Sequence, residues 1–195
     1  RVVDEGAQKI KSCLQALAKT GLCKFRFTAN QKIMIADVAD KDKSALDKIL
    51  TAHGINAAQF SRIRQDAMAC VAMNTCPLAL AEGQRYMPTL ITKIETVMAK
   101  HKLLEQPISI RLTGCPNGCA RPHAAEIGLV GRSLGHYNLH LGGDALGMRL
   151  NRLYREDVDE AGILSTLDGL FAEYAKARKS KEAFGDYVDR VVRFG

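Results

Sequence analysis

Residues 113–122 read Thr113-Gly114-Cys115-Pro116-Asn117-Gly118-Cys119-Ala120-Arg121-Pro122, and residues 70–77 read Cys70-Val71-Ala72-Met73-Asn74-Thr75-Cys76-Pro77. Together they give a C-x5-C pair, a gap of thirty-eight residues and a C-x3-C pair. Four thiolates from two loops are what a cubane [4Fe–4S] cluster requires, because each iron takes one soft terminal ligand. Pro77 and Pro116 each follow a cysteine, where proline removes a backbone donor and stiffens the turn. Gly118 lets the backbone approach closely just before Cys119. All-cysteine zinc also uses four thiolates and stays open as an alternative. Its usual pairs run from C-x2-C to C-x4-C, however, and C-x5-C lies outside that range. Burial without a ligand is the third and weakest reading.

Working outward, the whole chain has the composition of an ordinary globular protein: 195 residues, 47% hydrophobic and 25% charged. That length allows one or two domains. No apolar run approaches the roughly eighteen residues that a membrane span needs. The start, Arg1-Val2-Val3-Asp4-Glu5, has no signal-peptide h-region and no initiator Met. A cytoplasmic protein, not bound to membrane and cut from a longer chain, is expected. The net charge of +7 comes from scattered Lys and Arg with no aromatic-rich binding signature, so a nucleic-acid partner is not expected. A polyanionic cofactor or a small oxyanion accounts for the sign equally well, as does plain solubility. Six cysteines without a secretory signal point to metal or redox chemistry rather than disulfides.

Periodicity divides the chain into a small α+β module and a larger region. Ile10, Leu14, Leu17 and Ala18 form a helical stripe that Gly21 ends. Residues 23–28 and 32–38 alternate as strands around an Ala29-Asn30-Gln31 turn, and 43–53 form a second helix closed by Gly54. Residues 55–76 lack strong periodicity. A long helix is predicted from Pro77, with Leu80, Met87, Leu90, Ile94 and Val97 on one face and a kink or break at Pro88. Strands are predicted at 108–112, 126–131 and 137–141, a turn at 142–144, and a last helix over about 157–178 with Ile163, Leu164, Leu167, Leu170, Phe171 and Tyr174 inward.

The residues around the cysteines carry a resemblance. Thr113–Cys119, Ala-Glu-Ile-Gly-Leu-Val-Gly (125–131), Tyr-Asn-Leu-His-Leu-Gly-Gly (137–143), Leu-Tyr-Arg-Glu (153–156), Thr-Ala-Asn-Gln (28–31) and residues 68–79 resemble the sulfite reductase haemoproteins of the sirohaem sulfite/nitrite reductase superfamily. The match runs from about residue 6 to about residue 187. It implies an α+β protein: residues 1–58 as a ferredoxin-like sulfite/nitrite reductase module, then residues 59–195 as a [4Fe–4S]- and sirohaem-binding α/β domain with the Cys115–Cys119 loop at its edge. It implies that Cys70, Cys76, Cys115 and Cys119 hold one [4Fe–4S] cluster, and that Cys119 also ligates the sirohaem iron. Asn117 would stand beside the sirohaem, with Asn30 and Gln31 approaching the macrocycle from their turn.

The implied reaction is the six-electron reduction of sulfite to sulfide, in sulfate assimilation and cysteine biosynthesis. Electrons would come from an NADPH-dependent flavoprotein component or from ferredoxin. Residues 137–143 and 153–156 look closer to the NADPH type, whereas Ala120-Arg121-Pro122 resembles the ferredoxin type. Gly118, where nitrite reductases tend to have Ser, favours sulfite. The family's substrate-binding cations lie on the N-terminal half of the full protein, so that half is an implied partner. No catalytic residue is assigned within this chain, and the chain alone is expected to be inactive and to bind sirohaem weakly or not at all. A nitrite reductase, or a non-catalytic metal or electron-carrier module, are the alternatives.

Other residues carry weaker signals. Cys13 and Cys23 read as ordinary buried cysteines. His123 reads as a surface or supporting residue, and His140 as packing or cofactor-facing. Arg111, Arg121, Arg132, Arg149 and Arg152 could pair with sirohaem carboxylates or form a solvated basic face. The glycines at 128–143 do not form G-x-G-x-x-G, so no dinucleotide loop is expected.

Overall fold

The computed structural model describes residues 2–56 and 60–194. Its contacts divide the chain into two compact units, Arg1–Phe60 and Ser61–Gly195. The boundary expected between 58 and 59 falls among residues 57–59, outside those described.

In the first unit, β1 (Asp4–Glu5) and β2 (Gln8–Lys9) make a short hairpin before α1 (Ile10–Thr20), and β3 (Lys24–Phe27) pairs antiparallel with β4 (Ile33–Ala36) before α2 (Lys43–Ala52). Gly21 ends α1 in the left-handed region, φ 66°, where a residue without Cβ is least strained. Cys13, Leu17 and Leu46 form the buried centre, with Phe25, Ile35 and Ile49 packed around it. Burial raises the Cys13 thiol above its usual value, which keeps it protonated and inert. Cys23 is half-buried.

The second unit starts at α3 (Arg62–Asp66), whose first turn is capped by Ser61 Oγ accepting from the Arg64 N–H at 3.3 Å. Its sheet runs in sequential order: β5 (Met68–Ala69), β6 (Ile110–Thr113), β7 (Ile127–Ser133), β8 (His136–Leu141) and β9 (Arg152–Val158). The pairs β5–β6 and β6–β7 are parallel, whereas β7–β8 and β8–β9 are antiparallel. The chain is therefore α+β, as expected, and its five-stranded sheet is mixed. One face carries Ile110, Leu112, Ile127, Leu129, Leu139 and Leu141 into a continuous core with α4 (Met87–Lys100) and α5 (Glu160–Ala177). From these helices come Leu90, Ile91, Ile94 and Met98, and Ile163, Leu167 and Phe171. The last helix, α6 (Phe184–Val191), adds Phe184, Tyr187 and Val188.

Two expectations need correction. The helix predicted from Pro77 begins at Met87, with Pro88 in its first turn, where the missing N–H costs nothing. Residues 77–86 are drawn off by tertiary hydrogen bonds instead. The Leu80 and Ala81 N–H groups donate to Gly114 O (2.8 and 3.0 Å), and Gln84 N–H donates to Cys70 O (2.8 Å). The last helix begins at Glu160 rather than 157, because Asp159 caps it by accepting from the Gly162 N–H at 2.8 Å. Residues 152–158, which the pattern does not mark as a strand, form β9; only Val158 in it is buried, so no alternation betrays it.

Candidate metal centre

The two cysteine segments leave neighbouring parallel strands at the same end of the sheet. Met68 and Ala69 of β5 pair with Arg111 and Leu112 of β6, so Cys70 emerges next to Thr113 and Gly114. The ladder continues one bond further, with the Cys70 N–H donating to Leu112 O at 3.1 Å. Parallel strands bring their C-terminal ends together, and ligands are commonly bound outside such ends.

The loops are then joined directly. Gly114 N–H points at Cys70 Sγ, 3.2 Å away. A Cβ at Gly114 would lie 2.6 Å from Ala72 Cβ and 2.7 Å from Ala81 O, so only glycine permits this approach. Within the first loop, the Thr75 and Cys76 N–H groups donate to Ala72 O (3.1 and 2.8 Å). Arg85 grips the same loop from outside, donating to Met73 O (2.6 Å) and Thr75 Oγ1 (3.2 Å). In the second loop, Thr113 Oγ1 donates to Cys115 O at 3.1 Å, and Gly118 adopts φ 67°.

All six cysteines are free thiols; Cys115 is buried, Cys70 and Cys76 are half-buried, and Cys119 is exposed beside an exposed Asn117. Asn30 and Gln31 belong to the first unit, in the β3–β4 turn, whereas the four cysteines of the paired motifs are in the second. Apolar Val71, Leu78 and Leu80 stand exposed in the first cysteine segment and just after it. Among the described residues, no three His, Cys, Asp or Glu side chains converge as ligands of a single ion.

Of the five arginines, Arg149 and Arg152 are held in ion pairs: Arg149 donates to Asp186 Oδ1 at 2.6 Å and Arg152 pairs with Asp189. Arg132 is exposed. Arg111 Nη1 donates to Arg121 O at 3.3 Å; partial burial and the Arg121 charge hold Arg111 below the usual guanidinium range. His123 and His140 meet edge-on with ring centroids 4.7 Å apart. Burial, and then the His123 charge, push His140 down to about 4. The residues that sequence reasoning missed are Gly114 as a sulfur donor, Arg85 as a clamp, and Asn151. Buried Asn151 donates through its side-chain amide to Pro122 O and Ala125 O.

No protein-family model matches the chain. The solved Mycobacterium tuberculosis NirA protein matches with a TM-score of 0.77 and 29% identity, over 93% of this chain and 36% of that one. The sulfite reductase [NADPH] haemoprotein beta-component of Leptospira biflexa is 55% identical over 193 residues, 98% of this chain and 35% of that protein. Its counterpart in Shewanella loihica is 50% identical over 191 residues, 98% and 34% respectively. The fold is that of the sulfite/nitrite reductase class. Within it, the chain is homologous over nearly its whole length to the haemoprotein beta-component of sulfite reductase, and spans about a third of the length of these relatives.

The donor set fits an iron–sulfur cluster. It offers soft free thiols on two abutting loops, a backbone N–H already aimed at one sulfur, and apolar side chains open around them.

Proposed function

We propose that this chain is the cluster-bearing portion of an assimilatory, cytoplasmic sulfite reductase haemoprotein. Cys70, Cys76, Cys115 and Cys119 would hold one [4Fe–4S] cluster, and Cys119 would also ligate the iron of a sirohaem. The observation that carries this reading is the meeting of the two cysteine loops at the ends of β5 and β6, with Gly114 N–H on Cys70 Sγ. When bound, these groups supply low-potential electrons and an iron site for an oxyanion.

The chain's own residues prepare the place. Gly114 N–H is aimed at the Cys70 sulfur, a hydrogen bond that would raise the potential of a cluster held there. Cys115 is shielded from water, while Cys119 and Asn117 face outward, where a second group can reach them. Arg111 and Arg121, two neighbouring cations on the strand that leads into the second cysteine loop and just after that loop, would suit the carboxylates of a sirohaem. Asn30 and Gln31 are carried over as sirohaem-binding residues on the family resemblance alone.

The relatives' name favours an NADPH-dependent flavoprotein partner over ferredoxin. Gly118 favours sulfite over nitrite as substrate. The cations that clamp sulfite would lie in the rest of the whole protein, so the chain alone would not turn over substrate. The test is the whole protein, purified and assayed for sirohaem absorption, cluster signal, and sulfite against nitrite turnover with either electron donor. A colourless zinc protein would refute the reading, and a preference for nitrite would move it to the neighbouring class.

A further inference from the structure

The loop after Cys119 is laid residue by residue across the second face of the sheet. Met68, Arg111, Gly128 and His140 are successive cross-strand partners on β5, β6, β7 and β8. Arg121 Nη2 lies 3.9 Å from Met68 Sδ, and Arg121 O accepts from Arg111 Nη1 at 3.3 Å. The Pro122 backbone fills the space that Gly128 leaves, since a Cβ there would lie 2.5 Å from Pro122 O. The His123 ring rests against His140.

Asn151, the residue before β9, closes this arrangement. Its backbone N–H donates to His123 O at 2.8 Å, and its side-chain Nδ2 donates to Pro122 O at 2.7 Å and Ala125 O at 2.8 Å. Both amide hydrogens are used, and the residue is only 7% exposed. Three carbonyls within four residues thus converge on one side chain and its own N–H. A carboxylate of the same shape would face two of those carbonyl oxygens with no hydrogen to give.

We propose that Asn151 is a positioning residue. By latching Pro122, His123 and Ala125, it sets where the Cys119 thiolate stands and so tunes the join between cluster and sirohaem. This rests on the reading of Cys119 as the shared ligand. Asn151 acts through the loop, by its bonds to Pro122, His123 and Ala125.

The test uses the whole cofactor-loaded protein and compares Asn151→Asp, Asn151→Ala, Tyr174→Phe and Cys119→Ser. The Tyr174 change removes a different hydrogen bond, to Glu182 O at 2.6 Å, as a control for general destabilisation. The readouts are sirohaem retention on dilution and the electron paramagnetic resonance signature of cluster–sirohaem coupling. Asn151→Asp is expected to weaken sirohaem retention by about 10- to 100-fold and to alter the coupling signature. Asn151→Ala should do the same less severely, and Tyr174→Phe should match the parent. If Asn151→Asp does not fold, the alanine variant decides. Parent-like retention and coupling in the Asn151 variants, or equal loss in Tyr174→Phe, would overturn the proposal while leaving Cys119 as the bridge. Coupling that survives Cys119→Ser would instead sink the bridge, and the positioning role with it.

Discussion

Gly114 donates its backbone N–H to the Cys70 sulfur at 3.2 Å, across a sequence separation of 44 residues. The contact exists because β5 and β6 are parallel neighbours and because Gly114 has no side chain to hold the loops apart. It orients one of the proposed ligands before anything is bound, which lowers the cost of assembling the site.

Gly114→Ala should therefore force the loops apart. The added methyl would stand 2.6 Å from Ala72 Cβ and 2.7 Å from Ala81 O, and neither neighbour is the end of a flexible side chain. A loss of about 1–3 kcal/mol is expected from overpacking, together with lower iron content. Urea denaturation and iron analysis of the whole protein check both. Unchanged iron would contradict the role given to this contact.

Arg85→Ala should act locally. Arg85 holds Met73 O and Thr75 Oγ1 from an exposed position, so global stability should fall by no more than about 1 kcal/mol. Amide hydrogen exchange at Thr75 and Cys76 should quicken, while exchange in α5 should not. Equal acceleration in both places would show that Arg85 acts on the whole fold.

The core of the second unit should be far less tolerant. Leu167 on α5 is fully buried against the sheet, and Leu167→Ala should cost about 2–5 kcal/mol through lost burial and a residual cavity. The urea midpoint measures it, and a change under about 1 kcal/mol would mean the site collapses freely.

Protonation of His140 should destabilise the fold in acid. Burial and the neighbouring His123 hold its imidazole neutral down to about 4, below the ordinary value near 6.5. The sign follows from a lowered folded-state value. The stability is present above about 6.5 and is lost as pH falls toward 4, because the unfolded chain takes up the proton first. Its Nδ1 is buried without a hydrogen-bond partner among the described residues, so a charged ring would find no acceptor there. His140→Phe should flatten the pH dependence between 6.5 and 4 relative to the parent, measured as urea midpoints across that range. Parallel profiles would contradict this origin.

Much of the framework is legible because burial leaves a period in the sequence. The alternation through 108–112 and 137–141 marks strands whose leucines and isoleucines reach the core, and Gly21 marks a helix end. Where burial is weak, the signal fails: β9 is exposed along six of its seven residues. Where tertiary bonds outcompete local ones, it misleads. Residues 77–86 have helical spacing, yet the Leu80, Ala81 and Gln84 N–H groups donate to Gly114 O and Cys70 O. The four cysteines stand out by type and spacing, but the partners that place them do not. Asn151 is one asparagine among several, and its three bonds to the Pro122–Ala125 segment exist only once β9 lies beside β8.

Cys119→Ser in the whole protein tests most directly whether Cys119 is shared between cluster and sirohaem. Magnetic coupling between the two groups, read by electron paramagnetic resonance beside iron and sirohaem analysis, should be abolished in the variant and present in the parent. A Cys119→Ser protein that keeps parent-like coupling with full sirohaem would contradict the assignment.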